Sequence, residues 1–282
     1  MNFHQAPQIY VSHVTLKVFD LNRSITFYTE VLGFKILNQT PTSSDLTANG
    51  STSLLTIHQP KNVVPRPTRT TGMYHFALLL PQRSDLADFL AHFITIGLPF
   101  GASDHAVSEA IYIRDPDGNE IEIYADRAPE EWSWPKEEVK MTIDPINEPE
   151  LLALRNPEGW QGLPKKTIMG HIHLHVAELQ KTADFYTKGL GFNIVSRYGD
   201  QALFLSTGNY HHHIALNTWM GVGAPTPPAN SRGLDFYTIV YPEAATRKQA
   251  LQNLKSLGAT VNEKDNNFLT VDPAGNHLLL SL

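Results

Sequence analysis

Imidazoles at alternate positions are the first chemistry this sequence offers: His171, His173 and His175 occupy every second place of one short run, and His211-His212-His213 form an unbroken triplet. Thirteen histidines and no cysteine occur in 282 residues, so a bound metal must rest on imidazole, carboxylate or phenolate, and disulfide and thiolate chemistry is excluded. Glu120, Glu122 and Tyr124 share one strand face, while Ile121 and Ile123 take the other. Two histidines and one carboxylate suffice to hold a divalent ion with positions left open for small molecules. Further imidazoles are suited to moving protons near neutral pH.

An internal repeat says which elements carry these residues. His13-Val14-Thr15-Leu16-Lys17-Val18 is followed by Phe27-Tyr28 and Leu32-Gly33-Phe34. His171 to Val176, Phe185-Tyr186 and Leu190-Gly191-Phe192 return the pattern 158 residues later. One architectural unit is used twice. Each half divides again into two quarters that read strand, amphipathic helix, then several short strands: βαβββ, four times over. The first quarter alternates Val14, Leu16 and Val18 against His13, Thr15 and Lys17, and predicts a helix near Asn22 to Leu32 with Gly33 as its C′ residue. The second predicts a strand from Tyr74 to Leu80, a helix from Asp85 to Ile96 stopped by Gly97, and paired strands around Asp115-Pro116-Asp117-Gly118. The fourth runs from a strand at Leu234 to Tyr241 through a helix at Ala244 to Leu257. Its Asp272-Pro273-Ala274-Gly275-Asn276 matches the earlier Asp-Pro segment, and both read as turns.

The division is therefore residues 1–126 for the first pair of modules, 127–166 for a connector with six prolines, and 167–282 for the second pair. One or two helical turns are expected near Glu150 to Leu154. Trp132, Trp134 and Trp160 are expected to pin the connector to the modules. A Pro-rich loop, Gly221 to Ser231, is a candidate cover for a cavity mouth.

A net charge of −6 without a basic stripe argues against nucleic acid or an anionic membrane as partner and leaves small molecules. Met1 to Asp20 shows no apolar stretch behind positive charge, and no long apolar run follows elsewhere, so neither export nor membrane insertion is expected and the cytoplasm is the default location. Oligomeric state stays open, a homo-oligomer included.

Four βαβββ quarters with Leu-Gly-Phe after the first helix resemble the vicinal oxygen chelate superfamily, also called the glyoxalase/bleomycin resistance/dioxygenase fold. The resemblance implies an α+β protein whose modules form two cup-shaped, partly open mixed β-sheet barrels. It implies metal ligands from the first strand of two paired quarters and the last strand of one. Here the first-strand positions read His13, His75, His171 and Asp235, and the last-strand positions Glu122 and Leu279. Leucine cannot bind a metal, so the site must be built around the second quarter, with His75 and Glu122. Pairing quarters two and three supplies His171 as the third ligand; pairing one and two supplies His13.

The neighbouring residues are similar to an extradiol ring-cleavage dioxygenase of the catechol 2,3-dioxygenase type. Asp104-His105, then Tyr112, the Asp-Pro turn, and Glu122 ten residues beyond the tyrosine reproduce that family's order. His213 falls on the family's acid-base position, while the same place in quarter one, near Ser53, has no imidazole. The resemblance thus implies Fe(II), with Mn(II), Zn(II) or Ni(II) as substitutes, on His75, His171 and Glu122, and catalytic roles for His213, His105 and Tyr112. A small aromatic diol and dioxygen are the implied partners. Two other functions share the scaffold: a glyoxalase-like metal-dependent isomerase or transferase, and a metal-free protein that sequesters an aromatic ligand. His173 and His175 read as polar cavity wall and His212 as structural. Trp219, Phe236 and Tyr237 are candidates for lining the cup.

Overall fold

The computed structural model describes residues 3–282. The first module holds strands β1 (Tyr10–Lys17), β2 (Lys35–Gln39), β3 (Ser43–Thr47) and β4 (Ser53–His58). The second holds β5 (Gly72–Leu79), β6 (Gly101–Asp104), β7 (Ser108–Arg114) and β8 (Glu120–Asp126). The third holds β9 (Ile168–His175), β10 (Asn193–Tyr198), β11 (Ala202–Ser206) and β12 (Ile214–Asn217). The fourth holds β13 (Gly233–Val240), β14 (Val261–Lys264), β15 (Asn267–Val271) and β16 (His277–Ser281). The helices are α1 (Leu21–Thr26), α2 (Arg83–Ile96), α3 (Glu148–Leu152), α4 (Leu179–Asp184) and α5 (Ala244–Ser256), with α3 in the connector.

The strands form two eight-stranded mixed sheets, each taking one module from either side of the connector. Modules one and four make the order β14-β15-β16-β13-β1-β4-β3-β2, and modules two and three make β10-β11-β12-β9-β5-β8-β7-β6. Each joint is an antiparallel pair of first strands, β1 with β13 and β5 with β9. The α+β class with two curled sheets and few helices is the expected one. Alternation does the sorting: Val14, Leu16, Phe76, Leu78, Ile121, Ile123, Ile172 and Leu174 all enter one apolar core. Their strand neighbours must then turn to the opposite faces.

Helix α1 is shorter than its sequence suggests. It stops at Thr26, and the chain continues as a wider π-type turn over Phe27–Val31; α4 does the same over Phe185–Gly189. The tyrosine in each turn explains the repeated Phe-Tyr. Tyr28 donates its hydroxyl to Asp115 (2.9 Å) and Tyr186 donates to Asp272 (3.0 Å), the aspartates that open the Asp-Pro turns. Asp115 also accepts from the backbone N–H of Asp117 and Asn119, so its carboxylate organises the β7–β8 connection that carries Glu122.

Gly33 and Gly191 end these turns at φ +76° and +91°. They are not equivalent in packing. A Cβ on Gly33 would overlap the backbone of Gly162 and Leu163, whereas one on Gly191 meets only Ile9 Cδ1 at 3.6 Å. Gly191→Ala is expected to cost about 1 kcal/mol from backbone strain alone. Gly33→Ala should cost roughly 1–3 kcal/mol more by displacing the connector; equal denaturant midpoints for the two variants would refute this.

Candidate metal centre

The joint between modules two and three sets three donors around one small residue. On β5, Ala77 is opposite His171 of β9 and opposite Glu122 of β8, so imidazole, methyl and carboxylate lie in one row across three strands. His75 precedes Ala77 by two residues and shares its face. His75 Nε2 lies 3.0 Å and His171 Nε2 lies 3.2 Å from the same oxygen, Glu122 Oε2. These three residues are the one group of metal-type ligands found to converge among the described residues. Ligand atoms about 2.1 Å from a common ion and at right angles are about 3.0 Å apart, so the observed spacing fits a divalent metal. All three are buried, and both ring nitrogens of His75 lack a hydrogen-bond partner of acceptable geometry despite the close carboxylate.

Charge supports the same reading. Burial by itself raises the Glu122 pKa, but His171 and His75 outweigh it and hold the carboxyl well below the ordinary range. Burial lowers His171 to about 4 against the pull of Glu122. Glu122 and His171 are best described as an anionic carboxylate beside a neutral imidazole, because desolvation strongly disfavours a charged His171 ring there. A buried anion facing lone pairs is stabilised by a cation.

A cavity of about 700 Å3 opens over this cluster, and His75, Glu122, Tyr112, His105, His173 and His212 all face it. His105 Nδ1 donates to the Thr142 carbonyl (2.7 Å), which fixes its tautomer. Its Nε2 therefore accepts from the Tyr112 hydroxyl (2.7 Å), leaving the phenolic lone pairs toward the cavity. Burial, then Glu122, raises Tyr112 well above its usual pKa, so the hydroxyl stays protonated. His173 accepts from Asn217 Nδ2 (2.8 Å) and His175 donates to Asn217 Oδ1 (2.7 Å); of the two, His173 lines the cavity as expected and His175 lies behind it.

The structure places His213, expected as the acid-base group, against Phe3 rather than on the cavity wall. Strand β12 begins at Ile214, but the His213 backbone already bonds Leu205 of β11 and Ile172 of β9, whereas His211 and His212 lie in the preceding loop, where strand alternation does not govern them. His213 is fully buried, donates to the Phe3 carbonyl through Nε2 (3.0 Å), and does not line the cavity. His212 does line it, with its ring centroid 4.0 Å from that of His171. Behind it, His211 Nε2 donates to Asp126 Oδ1 (2.8 Å) and His211 Nδ1 lies 2.8 Å from His212 Nδ1, from which it accepts when the His211 ring carries one proton. That chain leaves His212 Nε2 as the ring's lone pair. Burial keeps this imidazole neutral, pushing its pKa well below 6.5.

His13 lies in the other sheet, bonded to Thr56 Oγ1 (3.0 Å), and is not part of the cluster. There the register sets Thr238 opposite both His13 and Leu279, mirroring Ala77 between His171 and Glu122. Phe236 rather than Asp235 then occupies the place of His75, because Tyr237 and Ile239 enter the core where Phe76 and Leu78 do. The sister site thus lacks two of three donors. Of the expected cup residues, Trp219 lines the cavity, whereas Tyr237 is buried in the other sheet against Tyr186.

Three contributions escaped the sequence. Ala77 has no chemistry of its own, yet only a small side chain leaves room between His171 and Glu122. Met141, Thr142 and Ile143 of the connector form a cavity wall, although nothing in their composition marks them. Phe3 holds His213 from the chain's other end. Trp132 and Trp160 do pin the connector, Trp132 against Tyr210 and His211, and Trp160 stacked on His92 at 3.6 Å. The Pro-rich loop lines a separate cavity of about 240 Å3 with Thr226 to Ala229, not the mouth of this one.

The family model of the Glyoxalase/Bleomycin resistance protein/Dioxygenase superfamily matches residues 10–123 and 168–267. The chain belongs to this superfamily. Within it, the chain is 43% identical over 267 residues to catechol-2,3-dioxygenase of Bacillus subtilis (strain 168), covering 94% of each. It is 29% identical over 126 residues to biphenyl-2,3-diol 1,2-dioxygenase 3 of Rhodococcus globerulus, covering 43% of this chain and 66% of that one. Glyoxalase I from Zea mays is similar in structure, with a TM-score of 0.57, 17% identity, and coverage of 96% and 92%. That last likeness speaks to the superfamily fold alone. No helix among the described residues is long and apolar enough to cross a membrane.

Proposed function

We propose that the chain is a non-haem Fe(II) extradiol dioxygenase that cleaves a catechol with dioxygen, and that His75, His171 and Glu122 hold the iron. The observation that carries this is the convergence of these three ligands, among the described residues, beside a cavity that Tyr112, His105 and His212 also line. His75, His171 and Glu122 would hold a divalent ion there, which would supply Lewis acidity toward a catechol and sites for small molecules. A glyoxalase-type site needs a further protein ligand, and no fourth His, Asp or Glu joins the cluster among the described residues. The 43% identical relative named catechol-2,3-dioxygenase supports the same reaction class.

The protein's own groups then have separable tasks. His212 takes a proton from the catechol at Nε2, with His211 and Asp126 holding its tautomer, and returns it as the ring opens. Tyr112, its hydroxyl proton committed to His105, accepts from the substrate hydroxyl and orients it. Both oxygen atoms of dioxygen end in the product, a 2-hydroxymuconic semialdehyde-type compound. Trp219 and Phe204 supply aromatic wall for the ring.

Aerobic incubation of iron-loaded protein with catechol should consume oxygen and give a yellow ring-fission product; no oxygen uptake at full iron content would refute the proposal. His212→Ala is expected to cut turnover about 10²–10⁴-fold while iron stays bound. His213→Ala should lower stability yet leave turnover per iron within a few-fold. The opposite ranking would return the acid-base role to His213.

A further inference from the structure

The cavity is much roomier than one dihydroxybenzene ring. At about 700 Å3 it falls among pockets that enclose drug-sized ligands, roughly 300–1,000 Å3. Away from the histidines its walls are apolar, with Leu98, Phe100 and Met141 on them. At the mouth, Ile143, Tyr198 and Trp219 line the cavity while remaining 64%, 55% and 40% exposed. Large apolar side chains gathered around one opening mark a surface that a ligand covers.

Charge narrows the ligand further. The two guanidinium groups that reach the cavity are each held by a carboxylate, Arg114 by Glu120 (3.3 Å) and Arg197 by Glu138 (3.0 Å). No lysine lines it among the described residues. The Arg114 side chain is 74% exposed but that of Glu120 only 15%. An anionic substituent that drew Arg114 away would strip the enclosed carboxylate of its partner and sit beside it, so an anion gains little there.

We infer that the substrate is a catechol bearing a neutral apolar substituent, alkyl or aryl, that extends from the metal cluster toward Ile143, Tyr198 and Trp219, and that catechols carrying a carboxylate are disfavoured. This rests on the dioxygenase reading for its chemistry, but the selectivity belongs to the cavity. Ile143, Tyr198 and Trp219 are then the specificity-determining side chains.

Binding and turnover are measured separately. Calorimetry on Zn(II)-loaded protein, which is redox-inert, would compare catechol, 4-methylcatechol, 4-propylcatechol and 3,4-dihydroxybenzoate. Oxygen uptake by Fe(II)-loaded protein would compare kcat/KM for the same four. Each enclosed methylene is expected to tighten binding about fourfold, and the benzoate to bind at least about tenfold more weakly than catechol. Ile143→Arg, which adds an unpaired cation at an exposed position, should shift the preference toward the benzoate over 4-propylcatechol by at least about tenfold. A flat series, or a benzoate that binds as well as the alkyl catechols, overturns the inference even if catechol is cleaved. The predicted ranking on the zinc form without oxygen uptake on the iron form would sustain the inference and sink the dioxygenase reading.

Discussion

Glu122→Leu is expected to give a folded protein that no longer binds metal. The sister sheet already performs this experiment: Leu279 occupies the equivalent place, opposite Thr238, with no loss of the sheet. Exchanging a buried carboxylate for an apolar side chain of similar size removes its desolvation cost, so the metal-free variant should be as stable as the parent or slightly more so. The two proteins should part company when metal is added. At a hundred times its dissociation constant, a ligand specific to the native state stabilises by about 2.7 kcal/mol. The parent should show that rise in melting temperature and the variant none. Affinity should fall by more than the 10–100-fold seen when partners behind a ligand are removed, and turnover should vanish with it. Thermal scans with and without Fe(II), Mn(II) or Zn(II) measure this, and a metal-dependent rise that persists in Glu122→Leu would refute the role of Glu122.

Acid should unfold the metal-free protein well above the carboxylate range. His171 and His175 are buried and neutral, with pKa lowered to about 4 chiefly by burial. His173, His212 and His213 are pushed down further by the same cause. In the unfolded chain these imidazoles titrate near 6.5, so between pH 6.5 and 4 unfolding takes up protons. Stability from these groups is complete above pH 6.5 and declines as pH falls toward 4. Each contributes up to about 1.4 kcal/mol per pH unit, and His171 and His175 alone sum to roughly 7 kcal/mol across the window. That is comparable to the whole stability of an ordinary domain. Bound metal requires neutral imidazole and should move the transition to lower pH. Urea midpoints measured at half-unit steps would show a steep fall, whereas a flat profile from pH 6.5 to 5 would contradict the buried, neutral description of these rings.

Much of this was legible in the residues because strands enforce a period of two. Once Val14, Leu16, Phe76 and Ile121 are assigned to the core, His13, His75 and Glu122 must face the cups. The imbalance of Glu122 against Leu279 points to the working sheet without any coordinates. Two expectations were displaced, each for its own reason. His213 pairs with the sheet and bonds Phe3, whereas His212 lies in the loop before β12, where the contact with His211 and Asp126 rather than strand phase turns it to the cavity. The Asp235 assignment was displaced by one residue because the last quarter's first strand joins its sheet in a register that the linear spacing does not encode. The connector's wall of Met141, Thr142 and Ile143 was invisible for a different reason: its residues reach the site through long-range contacts, including the Asp104–Asp144 bridge, and no local pattern announces such contacts.

On this proposal, His75, His171 and Glu122 bind one divalent ion at the joint of the second and third modules. Crystals of Fe(II)-loaded protein measured at the iron absorption edge test it most directly. A single strong anomalous peak about 2.0–2.2 Å from His75 Nε2, His171 Nε2 and a Glu122 oxygen is the predicted result. A peak beside His13 in the other sheet, or none at full iron loading, would contradict it.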